Sequence, residues 1–271
     1  MRTQPKIDWH EFPEIDTAKF QFSINQFRKA SAYIAAVDKL FSKETQKDKL
    51  TWIPGFQRLA GLWIQGEQLF RLSIGLESYA IYIVDDKVNI LNSIELSNLT
   101  SSKLLLWVEE QIGKQGLNAA DLEVAELGQT TFAAKEEVDG AGCAAVFHDS
   151  FVTLREIKHH FSNASDILVD SFSLNQELTI TIKNSGDPET DTLIKLGVQL
   201  QDQGYPYLFV KTQPFVNVAA LAKENDDWAW VEDDWTGAVY SIDKLFNSNG
   251  ERMAMSFYLQ AAERLLKILK D

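Results

Sequence analysis

The chain has 271 residues, of which 39 are acidic and 26 are basic, so its formal net charge is −13. This balance disfavours nucleic acids and anionic membranes as partners, because both attract basic surfaces. Hydrophobic residues make up 45%, as in an ordinary globular protein, and the length suffices for one large domain or two smaller ones. Small molecules and other proteins are therefore the partners that we expect.

Cysteine usage and hydropathy bear on the compartment. Cys143 is the only cysteine, which excludes an intramolecular disulfide and a metal site built from cysteines. The first ten residues lack the apolar segment of a signal peptide. No apolar run approaches the roughly 18 residues of a membrane-spanning helix. We therefore expect a cytoplasmic protein without a membrane segment.

The chain begins with a predicted helix followed by strands. Apolar residues recur at three- and four-residue steps and predict a helix over residues 17–46, with Asp16 or Thr17 as its N-cap. The period changes to two between about residues 58 and 94, which predicts strands, with a hairpin turn at Asp85-Asp86-Lys87. Short links indicate antiparallel pairing with one solvent-exposed face, since parallel strands need long crossovers.

A second helix and a change of composition follow. The helix has Ser101 or Ser102 as its predicted N-cap, and Gly116 stands just after its end, where glycine commonly terminates helices. Residues 128–142 then lack a clear period and are rich in alanine, glutamate and glycine. This composition indicates a linker or the start of the next helix.

The rest of the chain repeats this order. Apolar residues over 143–161 predict a third helix, and the apolar face from Met255 to Leu269 predicts the last one. The strands between them are predicted at residues 166–173, 177–183, 192–200 and 205–213. We therefore predict an α+β fold of antiparallel sheets with packed helices, in which the order helix–strands–helix occurs twice as a structural pseudo-repeat. The predicted halves are residues 1–127 and 143–271, joined by 128–142.

Three short segments resemble a known group of sequences. They are the helix end Gly113-Lys-Gln-Gly-Leu117, the segment Tyr205-Pro-Tyr-Leu-Phe-Val210 and the segment Trp235-Thr-Gly-Ala-Val-Tyr240. In these segments and in its element order, the chain resembles uncharacterised bacterial proteins catalogued as a domain of unknown function. The resemblance implies a shared fold and no activity, and the His- and Trp-rich positions of that group are not matched here.

No familiar catalytic or cofactor motif is present. The sequence lacks the glycine-rich dinucleotide and phosphate loops, the Gly-x-Ser-x-Gly nucleophile motif and the His-Glu-x-x-His zinc motif. Cys143 and His148 would point about 140° apart on a helix, so we interpret Cys143 as a small buried apolar residue. We expect no cofactor.

A histidine and aspartate pattern offers one possible metal site. His159 and His160 could join Asp166 and Asp170, because imidazole and carboxylate are suitable ligands for zinc or iron. Their spacing matches no recognised metal motif. Late histidines also suit the negative end of a helix dipole. We therefore interpret them as a solvated helix end and predict no metal.

The ten residues from Asp226 to Trp235 hold three of the seven tryptophans and five carboxylates. Tryptophan is costly to leave in water and carboxylates are costly to remove from it, so we expect this segment at a boundary. In one interpretation Trp228 and Trp230 share a face of a short strand and fill a core. In a second they bind a sugar, an ammonium group or a protein partner. A metal is the third, although the EF-hand order is absent.

These patterns lead to three functional hypotheses. The first is a non-catalytic ligand-binding or protein-interaction module. Its predicted binding residues are Trp228, Trp230, Asp233, Asp234 and Trp235. The alternative is a hydrolase that uses a carboxylate pair, such as Asp233 with Asp170 or Asp226, in a cleft rimmed by residues 226–235. In the third, exposed aromatic residues form a subunit interface.

Overall fold

The computed structural model describes residues 14–124, 130–183, 191–200, 206–213, 229–232, 236–245 and 250–269. These residues belong to two compact units, and neither unit is continuous in sequence. The N-terminal unit comprises Ile15–His148 and Leu168–Gln176. The C-terminal unit is built mainly from Asp149–Ile167 and Glu177–Asp271.

The described residues form four α-helices and twelve β-strands. The helices are α1 (Thr17–Phe41), α2 (Ser101–Lys114), α3 (Gly140–Lys158) and α4 (Gly250–Ile268). The strands are β1 (Lys49–Ile53), β2 (Arg58–Ala60), β3 (Ile64–Gln65), β4 (Leu69–Gly75), β5 (Ala80–Asp85), β6 (Ile90–Glu95), β7 (Leu168–Asp170), β8 (Gln176–Ile182), β9 (Thr192–Gln199), β10 (Tyr207–Gln213), β11 (Ala229–Glu232) and β12 (Thr236–Ser241).

The α+β class and the antiparallel pairing are confirmed, and the structural pseudo-repeat is not supported. The helices are unevenly placed: α1 and α2 lie wholly in the N-terminal unit, and only α4 lies wholly in the other. Helix α3 passes from one unit to the other after His148. No helix in the described part of the chain combines the length and apolar character that crossing a membrane requires.

The N-terminal unit is an antiparallel sheet with the order β6-β5-β4-β2-β1-β7, and β3 also pairs with β4. Helix α1 packs against β3 and β4. The ring of Trp52 stacks on Phe147 of α3 at 5.5 Å, and Phe27 meets Tyr79 edge to face at 5.8 Å. Burying such large apolar side chains is the main source of stability in this unit.

Both faces of β4 are covered from Leu72 to Gly75. Leu72 and Ile74 are buried on one face, and Ser73 and Gly75 are buried on the other. A Cβ atom added to Gly75 would overlap the hydroxyl of Ser78, which lies over this strand. Small residues on the second face therefore let neighbouring side chains close over it.

Helix α1 is shorter than its sequence pattern predicts. Its N-cap is Asp16, whose Oδ1 accepts a hydrogen bond from the Lys19 amide at 3.1 Å, as predicted. It ends at Phe41 and not at residue 46, because Ser42 is extended and its hydroxyl accepts from the Glu44 amide. Such local side-chain bonds compete with helical ones. The chain then turns toward β1, which the sequence pattern did not predict.

In the C-terminal unit the strand order is β8-β9-β10-β12-β11, and α4 packs on β9, β10 and β12. The hydroxyl of Tyr258 on α4 donates to the carbonyl of Gly197 on β9 at 2.7 Å. Strands β11 and β12 were not among the strands predicted above, although a short strand around Trp228 and Trp230 was one interpretation of that segment. Gly237 and Ala238 of β12 give little hydrophobic alternation, although they pair in register with β10 and β11.

Candidate functional site

Most of the predicted binding residues lie outside the described part of the chain. This is the case for Trp228, Asp233, Asp234 and Trp235. Trp230 lies on β11, where its backbone pairs with that of Ala238. The binding role of residues 226–235 therefore stays a prediction, as does the hydrolase hypothesis that invokes Asp226 and Asp233.

Cys143 has the environment of a core residue. It is fully buried, and burial raises the pKa of its thiol well above the usual value. A thiol with a raised pKa is a poor nucleophile, since the thiolate is the reactive form. His148 lies on the solvent-exposed side of α3. The interpretation of Cys143 as a small buried apolar residue is thus confirmed.

The other predicted histidines and aspartates do not gather into one site. His159 and His160 are exposed after the end of α3. Asp166 pairs with Lys158 at 2.6 Å, and Asp170 pairs with Lys49 at 2.9 Å. Among the described residues, no group of three histidine, cysteine, aspartate or glutamate side chains is placed to hold a metal ion.

The described residues line a half-open cavity of about 730 Å³ in the N-terminal unit, over the C-terminal half of α1. This volume lies within the range of about 300–1,000 Å³ typical of small-molecule sites. The lining residues are Ala32, Ala35, Ala36, Lys39, Thr45, Lys47, Asp48, Glu123, Val124 and Phe172. We call it the α1 cavity.

Three alanines form the floor of the α1 cavity. Ala32, Ala35 and Ala36 are three and four residues apart, so their methyl groups lie on one face of α1. A methyl group fills little space, whereas a leucine at these positions would reach into the cavity. The floor is therefore apolar and shallow, and it can be approached closely by a flat group.

The wall of the cavity is Phe172, which is 53% exposed and belongs to a loop that we call the aromatic arm, residues 170–175. Two side chains of α1 hold this loop. Arg28 Nε donates to the Phe172 carbonyl at 2.6 Å, and Ser31 Oγ donates to the Ser171 carbonyl at 2.6 Å. The helix that supplies the floor thus also positions the backbone of the wall.

The aromatic arm is also fixed from within. Oδ1 of Asp170 accepts hydrogen bonds from the amides of Phe172 at 3.1 Å and Ser173 at 2.8 Å. Burial acts to raise the pKa of Asp170, but the hydrogen bonds from Lys49 and Ser173 outweigh it and hold this pKa below its usual value. Leu174 adopts a left-handed conformation with φ 57°. The arm is therefore a built turn around an ionised carboxylate.

The rim of the α1 cavity is polar and of mixed charge. Lys39 and Lys47 supply cations, and Asp48 and Glu123 supply carboxylates. Lys47 Nζ donates to the carbonyl of Lys39 at 3.1 Å, near the end of α1. Such a bond satisfies a terminal helix carbonyl and places the ammonium group beside the cavity. A ligand would thus meet an apolar interior and charged groups at the entrance.

A buried carboxylate lies on α1 beside this region and was not anticipated from the sequence. Asp38 is 0% exposed, and burial raises its pKa to about 7. Its Oδ2 accepts from the Leu62 amide at 3.0 Å. Asp38 does not line the α1 cavity, so we assign it no role in ligand binding. Because its pKa is raised in the folded chain, its protonation affects the stability of the fold.

The sequence offered only weak signals for these residues. Three alanines on one helix face also suit an ordinary helix contact, and Phe172 falls within the predicted strand 166–173, whereas β7 ends at Asp170. The one available clue was Asp170-Ser-Phe-Ser173, since aspartate and serine favour turns that would expose the intervening phenylalanine. Tertiary hydrogen bonds from Arg28 and Ser31 could not be foreseen.

Comparisons of the chain with family models, with curated proteins and with solved structures gave no significant match. The resemblance of three short segments to uncharacterised bacterial proteins stays a prediction.

Proposed function

We propose that the chain is a cytoplasmic, non-catalytic binding module whose α1 cavity holds a small organic molecule with a flat apolar ring. The observation that carries the proposal is the exposed side chain of Phe172, which lines the α1 cavity together with three alanines and whose backbone is held by hydrogen bonds from α1. An exposed phenylalanine on a flexible loop would need no special account, because scattered apolar residues are normal on protein surfaces. A phenylalanine on a loop fixed by four hydrogen bonds to or from its neighbours is preorganised for contact.

The dimensions and chemistry of the cavity favour a ring. The alanine methyl groups offer one apolar surface against which a planar group can lie. The ring of Phe172 offers a second surface, which is aromatic. Contacts between aromatic rings add about 0.5–1.5 kcal/mol beyond the burial of area. Charged groups at the rim, such as Lys39 and Glu123, suit a ligand whose polar end remains at the entrance.

The test uses 2-naphthol as a probe and saturation-transfer-difference NMR as the measurement. We expect saturation transfer from the wild-type protein to the probe. Phe172→Ala removes the wall, and because Phe172 is half exposed the fold is retained. Its dissociation constant for the probe should rise about three- to tenfold, the usual effect of losing a ring contact. Ala32→Leu should block the floor and abolish the signal.

The matched control is Ala18→Leu, which makes the same change at an exposed position in the first turn of α1. This variant should bind the probe as the wild type does. The proposal is overturned if the wild-type protein transfers no saturation to 2-naphthol. It is also overturned if Ala32→Leu binds the probe with wild-type affinity.

A further inference from the structure

A second cluster in the N-terminal unit centres on an arginine stacked between aromatic rings. The Cζ atom of Arg58, on β2, lies 3.8 Å from the centroid of the Tyr82 ring on β5 and 5.5 Å from that of Phe56. Stacking engages the face of a guanidinium group and leaves its N–H edge directed elsewhere. Arg58 is thereby held in place by Tyr82, to which it also has a side-chain hydrogen bond, and its other donors can address a further group.

These side chains border a cavity of about 290 Å³ that we call the arginine pocket. Lys135 and Ser78 also line it. Lys135 is carried by a short 3₁₀ turn, Lys135–Glu137, whose first amide donates to Ser97 Oγ at 3.0 Å. Ser78 lies over the side-chain-free surface of Gly75. Two cationic residues and a serine therefore surround one small volume.

The charge of the arginine pocket is opposite to that of the whole chain. Its lining carries Arg58 and Lys135 against the single carboxylate of Glu77, in a chain of net charge −13. Neither cation forms an ion pair with a carboxylate in the part of the chain that the structure describes. The charge of Arg58 is partly withdrawn from water, and this burial lowers its pKa, whereas Tyr82 acts to raise it. A buried or half-buried cation is ordinarily paired with an anion.

The backbone beside the pocket is held in an uncommon conformation. Gln57 has φ 50° and Tyr79 has φ 53°, both in the left-handed region that residues with side chains seldom adopt. The two segments are joined, because the Leu76 amide donates to the Gln57 carbonyl at 3.1 Å. Residues held in such conformations cost about 1–3 kcal/mol each and cluster at ligand sites.

We propose that the arginine pocket binds a phosphate group, either as the free ion or carried by a small organic molecule. The planar guanidinium of Arg58 can donate hydrogen bonds to two phosphate oxygens, and Lys135 supplies a second positive charge. The hydroxyl of Ser78 can donate a further hydrogen bond. The exposed ring of Phe56 at the edge of the pocket is placed to contact an organic group attached to that phosphate. This proposal does not depend on the α1 cavity.

Isothermal titration calorimetry with inorganic phosphate and with phenyl phosphate tests the proposal and separates the two sources. We expect both to bind. Equal affinities indicate a site for the free ion, and tighter binding of phenyl phosphate indicates a carried phosphate that uses Phe56. Arg58→Met, which keeps an unbranched side chain and removes the charge, should raise either dissociation constant at least ~10-fold, as expected for a lost charge-assisted hydrogen bond.

Lys135→Met provides a second variant, since Lys135 is exposed and its replacement leaves the fold intact. It should weaken binding several-fold. The control is Arg252→Met, which makes the same charge change at an exposed position of α4 and should leave binding unchanged. The proposal is overturned if neither phosphate compound binds the wild-type protein, or if Arg58→Met and Lys135→Met both bind with wild-type affinity.

Discussion

Oδ2 of Asp38 accepts a hydrogen bond from the Leu62 amide at 3.0 Å, while Oδ1 has no hydrogen-bond partner among the described residues. Burial raises the pKa of Asp38 to about 7, the amide of Leu62 opposes this, and the charge of Glu44 adds to it. The pKa in the folded chain therefore lies above the value of 3.8 expected for an ordinary aspartate. The folded chain binds this proton more tightly than the unfolded chain does.

Asp38→Asn should remove a pH dependence of stability. Because its pKa is raised in the folded chain, Asp38 destabilises the protein above about pH 7, and this cost disappears as the pH falls toward 4. Between pH 8 and pH 5 the free energy of unfolding should rise by on the order of 2–3 kcal/mol from this group. Urea unfolding at several pH values measures it.

The quantity that decides this prediction is the difference between the pH profiles of the wild type and Asp38→Asn, since other groups titrate in both. Asp121→Asn, at an exposed position, should leave the profile unchanged. Parallel wild-type and Asp38→Asn profiles over pH 5–8 would show that Asp38 remains ionised in the folded chain.

Gly61→Ala should destabilise the N-terminal unit. A Cβ atom at this position would lie 2.5 Å from Cγ2 of Ile34 and 2.6 Å from Oδ2 of Asp38. Overpacking of this kind costs about 1–3 kcal/mol. Thermal unfolding of Gly61→Ala and of Gly55→Ala provides the measurement, because a Cβ at Gly55 meets nothing within 4 Å. Equal stabilities of the two variants would contradict the close contact between α1 and residue 61.

Asp170→Ala should loosen the aromatic arm. The carboxylate accepts from two amides of the arm and pairs with Lys49, so its loss should cost about 1–3 kcal/mol and should also weaken binding of 2-naphthol. Because the pKa of Asp170 is lowered on folding, its contribution is present at neutral pH and is lost on acidification through that pKa.

Asp166→Ala is the matched control for the arm. Its side chain is 85% exposed, and such surface ion pairs contribute little. Chemical denaturation should therefore show a clear loss of stability for Asp170→Ala and almost none for Asp166→Ala. If both variants retain wild-type stability and naphthol binding, Asp170 does not hold the arm.

Two glycines at the end of α2 should respond in opposite directions to alanine. Gly113 lies within the helix, and a Cβ there meets nothing within 4 Å, so Gly113→Ala should stabilise by about 0.5–1 kcal/mol. Gly116 has φ 74°, which alanine adopts only with strain, so Gly116→Ala should destabilise. Differential scanning calorimetry of both variants checks the signs. A lower melting temperature for Gly113→Ala than for the wild type would contradict the predicted stabilisation.

Periodicity predicted the elements in which burial alternates regularly. Helix α4 and strand β9 fall where the pattern places them, because Leu265, Leu196 and their neighbours repeat at the helical and strand periods. The end of α1 was not predicted because it depends on a local hydrogen bond, which the amide of Glu44 donates to the hydroxyl of Ser42. Strand β12 was missed because Gly237 and Ala238 carry almost no hydropathy signal.

The candidate sites could not be predicted from sequence patterns, for a different reason. The α1 cavity joins Ala32 to Phe172, and the arginine pocket joins Arg58 to Lys135, so each depends on contacts between distant segments. The burial of Asp38 could not be predicted either, since an aspartate on an amphipathic helix usually faces water. Its burial follows from the absence of a side chain at Gly61, which lets the two segments approach closely.

The origin of the aromatic arm has a consequence for biosynthesis. Helix α1 leaves the ribosome early, but Phe172 and the Asn175 carbonyl that closes the arm on Asp170 are made more than a hundred residues later. Strand β1 likewise gains its neighbour β7 only at that stage. During translation the alanine face of α1 and one edge of β1 therefore remain uncovered, and a nascent chain stopped before residue 168 offers both to chaperones.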